Sequence, residues 1–332
     1  MRQRIWAWAR LAGGAAILAV LVWRLGTGPF LHGLRTVEPW SLVAAFGIGV
    51  VTTVCSAWRW RIVARGLGVG LGLSAAVAAY YRSQFLNLSL PGGVLGDVHR
   101  AVNHGREVGD VGRGVRAVVW ERTAGQVVQL VLTMTVLLLV PSPVRSSMPV
   151  VAVAVVAGAV VLVLGARALP VDGTSRRARV ARAARADVRD GVLARSAWPG
   201  IVATSAVMVA GYTATLLIAA RTAGTLASPG RLLPLAMLVL LAMAVPTNIG
   251  GWGPREGAAA WVFAAAGLGA DQGIATAVVY GVMALVASLP GAVVLVAVAW
   301  RDHRARRWQA RPVSPAPWQA WASRDREGAT HG

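Results

Sequence analysis

The sequence predicts an all-α, polytopic membrane protein with six to eight spanning helices and a re-entrant, Gly- and Pro-broken segment in each half. The 332-residue chain is 56% hydrophobic and only 14% charged, with a mean hydropathy of +0.59, whereas soluble domains carry about 25% charged residues. Six charge-free segments reach the roughly 20 residues that a span needs. Two Gly-rich segments that carry charges, 87–101 and 245–259, interrupt the apolar sequence.

The absence of charge locates each span. The N-terminal stretch 11–23 resembles a signal peptide but lacks a convincing small-residue cleavage site, so we interpret it as a retained first span. Residues 1–300 are predicted to form one membrane domain, and the basic remainder, 301–332, a disordered cytoplasmic tail. The six longer charge-free segments are 39–58, 123–144, 146–166, 196–220, 232–254 and 272–300.

The positive charge indicates how the spans are oriented. All 33 basic residues are arginine, and the net charge is +20. Because the arginines flank spans, they favour contact with anionic lipid and a positive-inside topology over nucleic-acid binding. Both termini and the basic loop 167–198 are then cytoplasmic. Segment 66–96 must enter the membrane and return, whereas 232–270 is either a second re-entrant hairpin or two short crossings.

The two Gly-rich segments are the predicted binding site. Each places Asn near Pro, then a Gly-Gly step, then charges. A broken helix presents free N–H groups and a positive dipole end, which suit an anion, and transporters with inverted repeats place such helices in corresponding positions. The predicted substrate-binding residues are Asn87, Gly92, Gly93, Asp97, Arg100, Glu121, Arg122, Asn248, Gly250, Gly251, Arg255 and Glu256.

The sequence leaves alternative roles open for the charged residues of this set. Arg255 offers a planar donor fork that suits a phosphate, or it forms an internal ion pair with Glu256 or with another carboxylate such as Asp97. Glu121 and Arg122 are adjacent on a helix, so we expect them to have different partners. Asp97 either takes part in the site or caps the helix that follows.

The remaining polar residues suggest no catalysis. Asn87 and Asn248 either satisfy backbone groups freed at the helix breaks or touch a head group. His99 and His104 have too few convergent ligands around them for a metal site. We therefore predict no catalytic residue, no metal, no cofactor and no enzymatic activity.

Three stretches, in this order, carry a family resemblance: FLNLSLPGGVLGDVHR (85–100), ERTAGQVVQL (121–130) and PTNIGGWGPREGAAAWVFAAAGLGADQGIATAVVYG (246–281). Together they resemble the lysylphosphatidylglycerol synthase transmembrane region, also called the flippase-like integral membrane family. The resemblance implies a polytopic protein of the bacterial inner membrane. In some relatives a fused aminoacyl-transferase domain makes lysyl-lipid, which the membrane region flips. This sequence ends about 30 residues after its last span, too few for such a domain, so we expect the membrane region without a synthase.

These patterns lead to two functional hypotheses. The first is a flippase or transporter that binds the phosphate of an anionic phospholipid or lipid-linked sugar at the two Gly-rich motifs. The alternative is a non-catalytic membrane partner that scaffolds a glycosyltransferase or lipid-modifying synthase through the Arg-rich segment 172–195. Membrane lipids are the expected partners in the first case.

Overall fold

The computed structural model describes residues 19–90, 93–142, 144–168, 175–244 and 252–309, which form helices joined by short turns and contain no β-strand. A 3-10 turn (Arg145–Ser147) and a π-helical segment (Asp187–Val192) join some of the α-helices. The α-helices are α1 (19–25), α2 (Gly28–Arg35), α3 (Pro39–Gly66), α4 (Leu73–Ser89), α5 (Leu95–Glu107), α6 (Val111–Leu139), α7 (Met148–Ala168), α8 (Arg176–Ala186), α9 (Trp198–Thr222), α10 (Pro229–Ala242), α11 (Pro254–Ala265) and α12 (Ala270–Gln309).

The helices confirm the predicted all-α, polytopic class. Four of the described helices are long and apolar enough to cross a membrane: α3, α6, α9 and the Ala270–Arg301 part of α12. Shorter apolar stretches lie in α7 and α10, and most of the predicted first span, 11–23, lies outside the described residues. Two spans are longer than their charge-free segments, because α3 continues past residue 58 to Gly66 and α6 begins at Val111 rather than at 123.

The chain divides into two compact units, one ending at Ala292 and one beginning at Val293. In the second unit the described residues, 293–309, are the C-terminal part of α12. All features described below belong to the first unit. Its largest apolar core joins α9, α10, α11 and α12, around fully buried side chains such as Leu216, Leu235 and Phe263.

Helices α3 and α9 run antiparallel, and they define two ends of this unit. Gly200, near the start of α9, lies against Ile62 near the end of α3, and Gly211 lies against Thr52 further back. The π-helical segment that follows the Arg-rich α8 packs where α3 ends, with Gly191 against Gly66. We therefore name this the basic end of the unit, and the other the opposite end.

Helices α4 and α5 form a hairpin that opens at the basic end. The loop before α4 meets the start of α6 there, since a Cβ on Gly68 would lie 3.8 Å from the Arg113 guanidinium. The arms have 17 and 13 residues, so even the longer arm extends about 26 Å, less than the roughly 30 Å of a bilayer core. The hairpin therefore confirms the predicted return of segment 66–96.

The turn of this hairpin follows from its sequence. Leu90 is extended, with φ −105° and ψ 147°, because the following proline disfavours helical geometry in the residue before it. Gly93 then takes φ +61°, which costs glycine little. At Gly96 the two arms touch so closely that a Cβ would lie 2.1 Å from the carbonyl oxygen of Ser83.

Helices α10 and α11 form a second hairpin, which opens at the opposite end. Arg231, near the start of α10, donates a 3.2 Å hydrogen bond to the carbonyl of Ala266, just after α11. Gln272, at the start of α12, donates to the carbonyl of Ala223, just after α9, at 2.6 Å. The arms have 14 and 12 residues, too few to cross a bilayer. Both described arms are thus short, as a re-entrant hairpin would have them, and residues 245–251 between them lie outside the described residues.

The two halves of the unit have the same order of elements, but the elements of the second half run in the opposite direction to those of the first. In the first half, span α3 leads to the α4–α5 hairpin and span α6. In the second, span α9 leads to the α10–α11 hairpin and span α12. This is the arrangement of an inverted-topology repeat, and the short sequence echo between the two Gly-rich segments marks its two hairpins.

The described part of the Arg-rich segment 172–195 contains α8 and the π-helical turn after it. Asp187 of that turn is buried and accepts hydrogen bonds from Arg116 Nε at 2.8 Å and Trp120 Nε1 at 3.1 Å, both on α6. These bonds fix the end of the segment to the basic end of α6.

Candidate functional site

Glu121 lies at the centre of a buried group of charges. Its side chain, on α6, is fully buried and accepts a 2.9 Å hydrogen bond from Arg59 Nε on α3. The Tyr80 hydroxyl donates to it at 3.0 Å and Arg100 Nη2 at 3.1 Å. A buried carboxylate is stable only when paired and hydrogen-bonded, and these donors from α3, α4 and α5 meet that need.

Asp97, at the start of α5, is the second carboxylate of the group. The Ser83 hydroxyl, the Asn87 amide and Arg100 Nη2 each donate to it at 3.0 Å, and Arg122 of α6 forms an ion pair with it. We name Arg59, Asp97, Arg100, Glu121 and Arg122 the charge cluster. It joins the first hairpin to spans α3 and α6.

Arg100 is the best-enclosed cation of the charge cluster. Its guanidinium carbon lies 4.4 Å from the ring centroid of Trp60 and 4.1 Å from that of Tyr80, within the range of cation–π attraction. Its Nε and Nη1 atoms have no hydrogen-bond partner among the described residues. The two aromatic rings therefore compensate part of the lost hydration.

The charge cluster has a net positive charge. It holds three guanidinium groups and two carboxylates. His104, at the basic end of α5, lies edge-on against Trp60. Three guanidinium groups against two carboxylates leave an excess of one positive charge.

A cavity of about 290 Å³ lies beside the charge cluster. Two of its arginines, Arg59 and Arg122, line the cavity, whereas Asp97 and Glu121 are not among the lining residues. The Arg122 side chain remains 42% exposed despite its ion pair, and its Nε has no partner among the described residues. The cavity is thus lined by two arginines of the charge cluster but by neither of its carboxylates.

The first Gly-rich segment contributes directly to this cavity, since Asn87 and Gly93 line it. Asn87 has a structural role as well, because its Oδ1 accepts a 2.8 Å hydrogen bond from the backbone N–H of Gly96. Asp97 does not cap α5, whose N-cap is Val94 and has no side-chain cap. The carboxylate instead pairs with Arg100 and Arg122.

The second Gly-rich segment forms a separate ion pair. Arg255 donates to Glu256 Oε1 from Nε at 2.8 Å and from Nη2 at 2.5 Å, and both residues are buried. Glu256 Oε2 also accepts from the Gly253 N–H at 2.7 Å. The internal pair is therefore the reading that the structure supports for Arg255. Neither residue lines the cavity, but Tyr280, which does, lies 5.6 Å from the Arg255 guanidinium.

Four of the predicted charges thus meet in one cluster: Asp97, Arg100, Glu121 and Arg122. The different partners expected for Glu121 and Arg122 are observed. Gly92, Asn248, Gly250 and Gly251 lie outside the described residues.

Arg59 was not among the site residues predicted from the sequence. Arg59 is only 4% exposed and lies two turns before the end of α3. Opposite it, Gly125 on α6 leaves the space that its guanidinium fills, since a Cβ there would lie 2.5 Å from Arg59 Nη1. In the sequence Arg59 stands at the end of a charge-free segment and is followed closely by Arg61 and Arg65, so nothing in this pattern marks it as the buried arginine.

Two oppositely oriented broken-helix hairpins beside a cavity with buried charges define a class of polytopic membrane proteins built as inverted repeats. The comparisons identify the family. The model of the lysylphosphatidylglycerol synthase TM region matches residues 7–291, and because this match covers most of the chain, the protein belongs to that family. The chain matches no curated protein and no solved structure. Family membership relates this membrane protein to lipid biosynthesis or lipid flipping.

Proposed function

We propose that this protein is a lipid flippase of the bacterial inner membrane, which binds a phosphate-bearing head group in the cavity and carries it across the bilayer without catalysing a reaction. The observation that supports this most directly is that two arginines, Arg59 and Arg122, line the cavity while their carboxylate partners lie outside its lining. A guanidinium is a planar, always charged donor fork that matches phosphate oxygens.

The fold supplies a means of moving the bound lipid. In transporters with inverted repeats, the two halves rock against each other around a central site. Here the cavity is lined from both halves, by Arg122 of the first and by Tyr212 and Tyr280 of the second. Rocking would expose the head group first at one end of the unit and then at the other. We place the basic end on the cytoplasmic side, and we propose that both termini are cytoplasmic as well.

Reconstituted liposomes with fluorescent, anionic lipids test this proposal. We expect the wild-type protein to move the lipid between leaflets and Arg122→Gln to reduce the initial rate at least about tenfold, since hydrogen bonds to a charged group contribute roughly 1.5–3 kcal/mol. Arg106→Gln, at an exposed position on α5, is the matched control and should keep the wild-type rate. Size-exclusion profiles and melting temperatures show whether each variant is folded.

Failure of folded wild-type protein to translocate any anionic or polyprenyl-linked lipid would contradict the flippase proposal. It would favour the scaffold alternative, in which the protein holds a glycosyltransferase or lipid synthase through α8 and the π-helical turn. Deleting Arg176–Ala186 would then abolish co-purification of that enzyme, while Arg122→Gln would leave it intact.

A further inference from the structure

The chemistry of the cavity wall limits which classes of lipid head group the cavity can accept. Apart from Arg59 and Arg122, the described lining residues carry no ionisable acid or base other than tyrosine. The two gaps that adjoin the lining, 91–92 and 245–251, contain no acidic residue in their sequence either. The polar part of the wall consists of amides and hydroxyls, namely Thr52, Thr53, Gln84, Asn87, Gln126, Gln129, Ser205, Thr215 and Ser288.

Two of these amides, together with Arg122, form a polar stripe on one face of α6. Arg122, Gln126 and Gln129 follow each other at intervals of four and three residues, which places them on the same side of the helix. Gln129 donates to the Leu240 carbonyl at 2.9 Å, whereas the Gln126 amide makes no hydrogen bond with the described residues. Gln126 therefore keeps both a donor and an acceptor for a ligand bound next to Arg122.

We infer that the cavity accepts a lipid phosphate whose remaining head group is an uncharged polyol or sugar, and that it rejects a head group bearing an amine. This inference rests on the proposed function and specifies its substrate class. The guanidinium groups attract the phosphate, and the amides and hydroxyls replace the water around the hydroxyl groups of a polyol.

An ammonium group finds no counter-charge in this wall. It would lie beside two arginines in a site where water is scarce and charges are poorly screened, and placing like charges together disfavours the wrong partner strongly. The volume agrees with this substrate class, since about 290 Å³ lies near the lower limit of ligand pockets, roughly 300 Å³. The cavity therefore suits a head group, with the acyl or prenyl chains left outside.

The test compares fluorescent lipids that share their chains and differ only in the head group. Phosphatidylglycerol supplies an uncharged polyol, phosphatidylethanolamine a primary amine, and lysyl-phosphatidylglycerol a polyol esterified with a cationic amino acid. We expect the initial rate for phosphatidylglycerol to exceed each of the other two by at least about tenfold. Equal or faster movement of either amine-bearing lipid would overturn the inference but leave the flippase proposal standing. Movement of none of the three would overturn both.

Two variants separate charge from shape. Gln126→Glu places a carboxylate four residues from Arg122, where the two can pair, so we expect the preference for phosphatidylglycerol over the amine-bearing lipids to fall at least about fivefold. Gln126→Met keeps a side chain of similar length but introduces no charge, so it should not shift the preference towards amine-bearing lipids. An unchanged preference in folded Gln126→Glu, or an equal shift in Gln126→Met, would contradict the inference.

Discussion

At the scale of the residue, Glu121 determines whether the charge cluster can exist. It forms ion pairs with both Arg59 and Arg100 and accepts a hydrogen bond from the Tyr80 hydroxyl. Loss of its charge leaves buried guanidinium groups without compensation. Glu121→Gln should therefore lower the free energy of unfolding by about 3–5 kcal/mol, measured as a lower melting temperature and a lower midpoint of chemical denaturation in detergent.

Glu107 provides the control for this prediction. It is also a glutamate close to the same hairpin, but its side chain is 73% exposed, and exposed ion pairs contribute little. Glu107→Gln should melt within a degree or two of the wild type, given a change of at most roughly 0.5 kcal/mol. Equal stability of the two variants would mean that Glu121 does not hold the cluster together.

Gly125 permits a second prediction, which concerns the residue that sequence reasoning missed. A Cβ at this position would lie 2.5 Å from Arg59 Nη1, so Gly125→Ala must displace the guanidinium from Ser205 and Glu121. We expect loss of about 1–3 kcal/mol of stability from overpacking, together with a reduced transport rate. Gly158→Ala on α7, where a Cβ would meet no atom within 4 Å, should leave both unchanged.

The residues of the site were predictable to different degrees. Asp97 and Arg100 are one helix turn apart in a broken, apolar segment, so their place in a site could be inferred from spacing alone. Arg59 could not be found in this way, because its partner Glu121 is 62 residues away and an arginine at the end of a charge-free segment is normally interfacial. Arg255 was predicted as a phosphate ligand or an internal pair, and only the coordinates distinguish the two.

At the scale of the element, close contact between its arms defines the first hairpin. Gly96→Val would push a branched side chain against the Ser83 carbonyl, and a backbone atom cannot move aside as a side-chain tip does. We expect the arms to separate, with a stability loss of at least about 1–3 kcal/mol, and the ion pairs of Asp97 to be disrupted. Protection of α4 and α5 from hydrogen exchange should fall, while that of α10 and α11 should persist.

The two hairpins were not equally predictable. The count of arginines required segment 66–96 to return to its own side, since a crossing would have placed the basic loop outside. No such count applies to 232–270, because one re-entrant hairpin and two short crossings both return the chain to the same side. The lengths of the described helices α10 and α11, 14 and 12 residues, are information about helix geometry that no charge pattern encodes, and they favour the hairpin.

At the scale of the whole molecule, the opposed hairpins make a prediction about sidedness. Gly70 precedes the first hairpin and Gly230 begins the second, and a Cβ at either would meet no atom within 4 Å. In a Cys55→Ala background, Gly70→Cys should react with an impermeant maleimide only in inside-out vesicles. Gly230→Cys should react only in right-side-out cells. Labelling of both positions from one side would contradict the inverted arrangement.

The inverted arrangement of the two halves explains why helix α7 is present between them. Each half crosses the membrane twice and so ends on the side where it began. Two such halves joined directly would point the same way. One extra crossing is needed to turn the second half over, and α7, with 21 residues, lies between them. Its valines are largely exposed, among them Val153 at 69% and Val161 at 68%. The role of the helix is therefore to add one membrane crossing, which gives the second half the opposite orientation. Its side chains should be freely exchangeable for other apolar ones, whereas deleting the helix would reverse the membrane orientation of the chain after it.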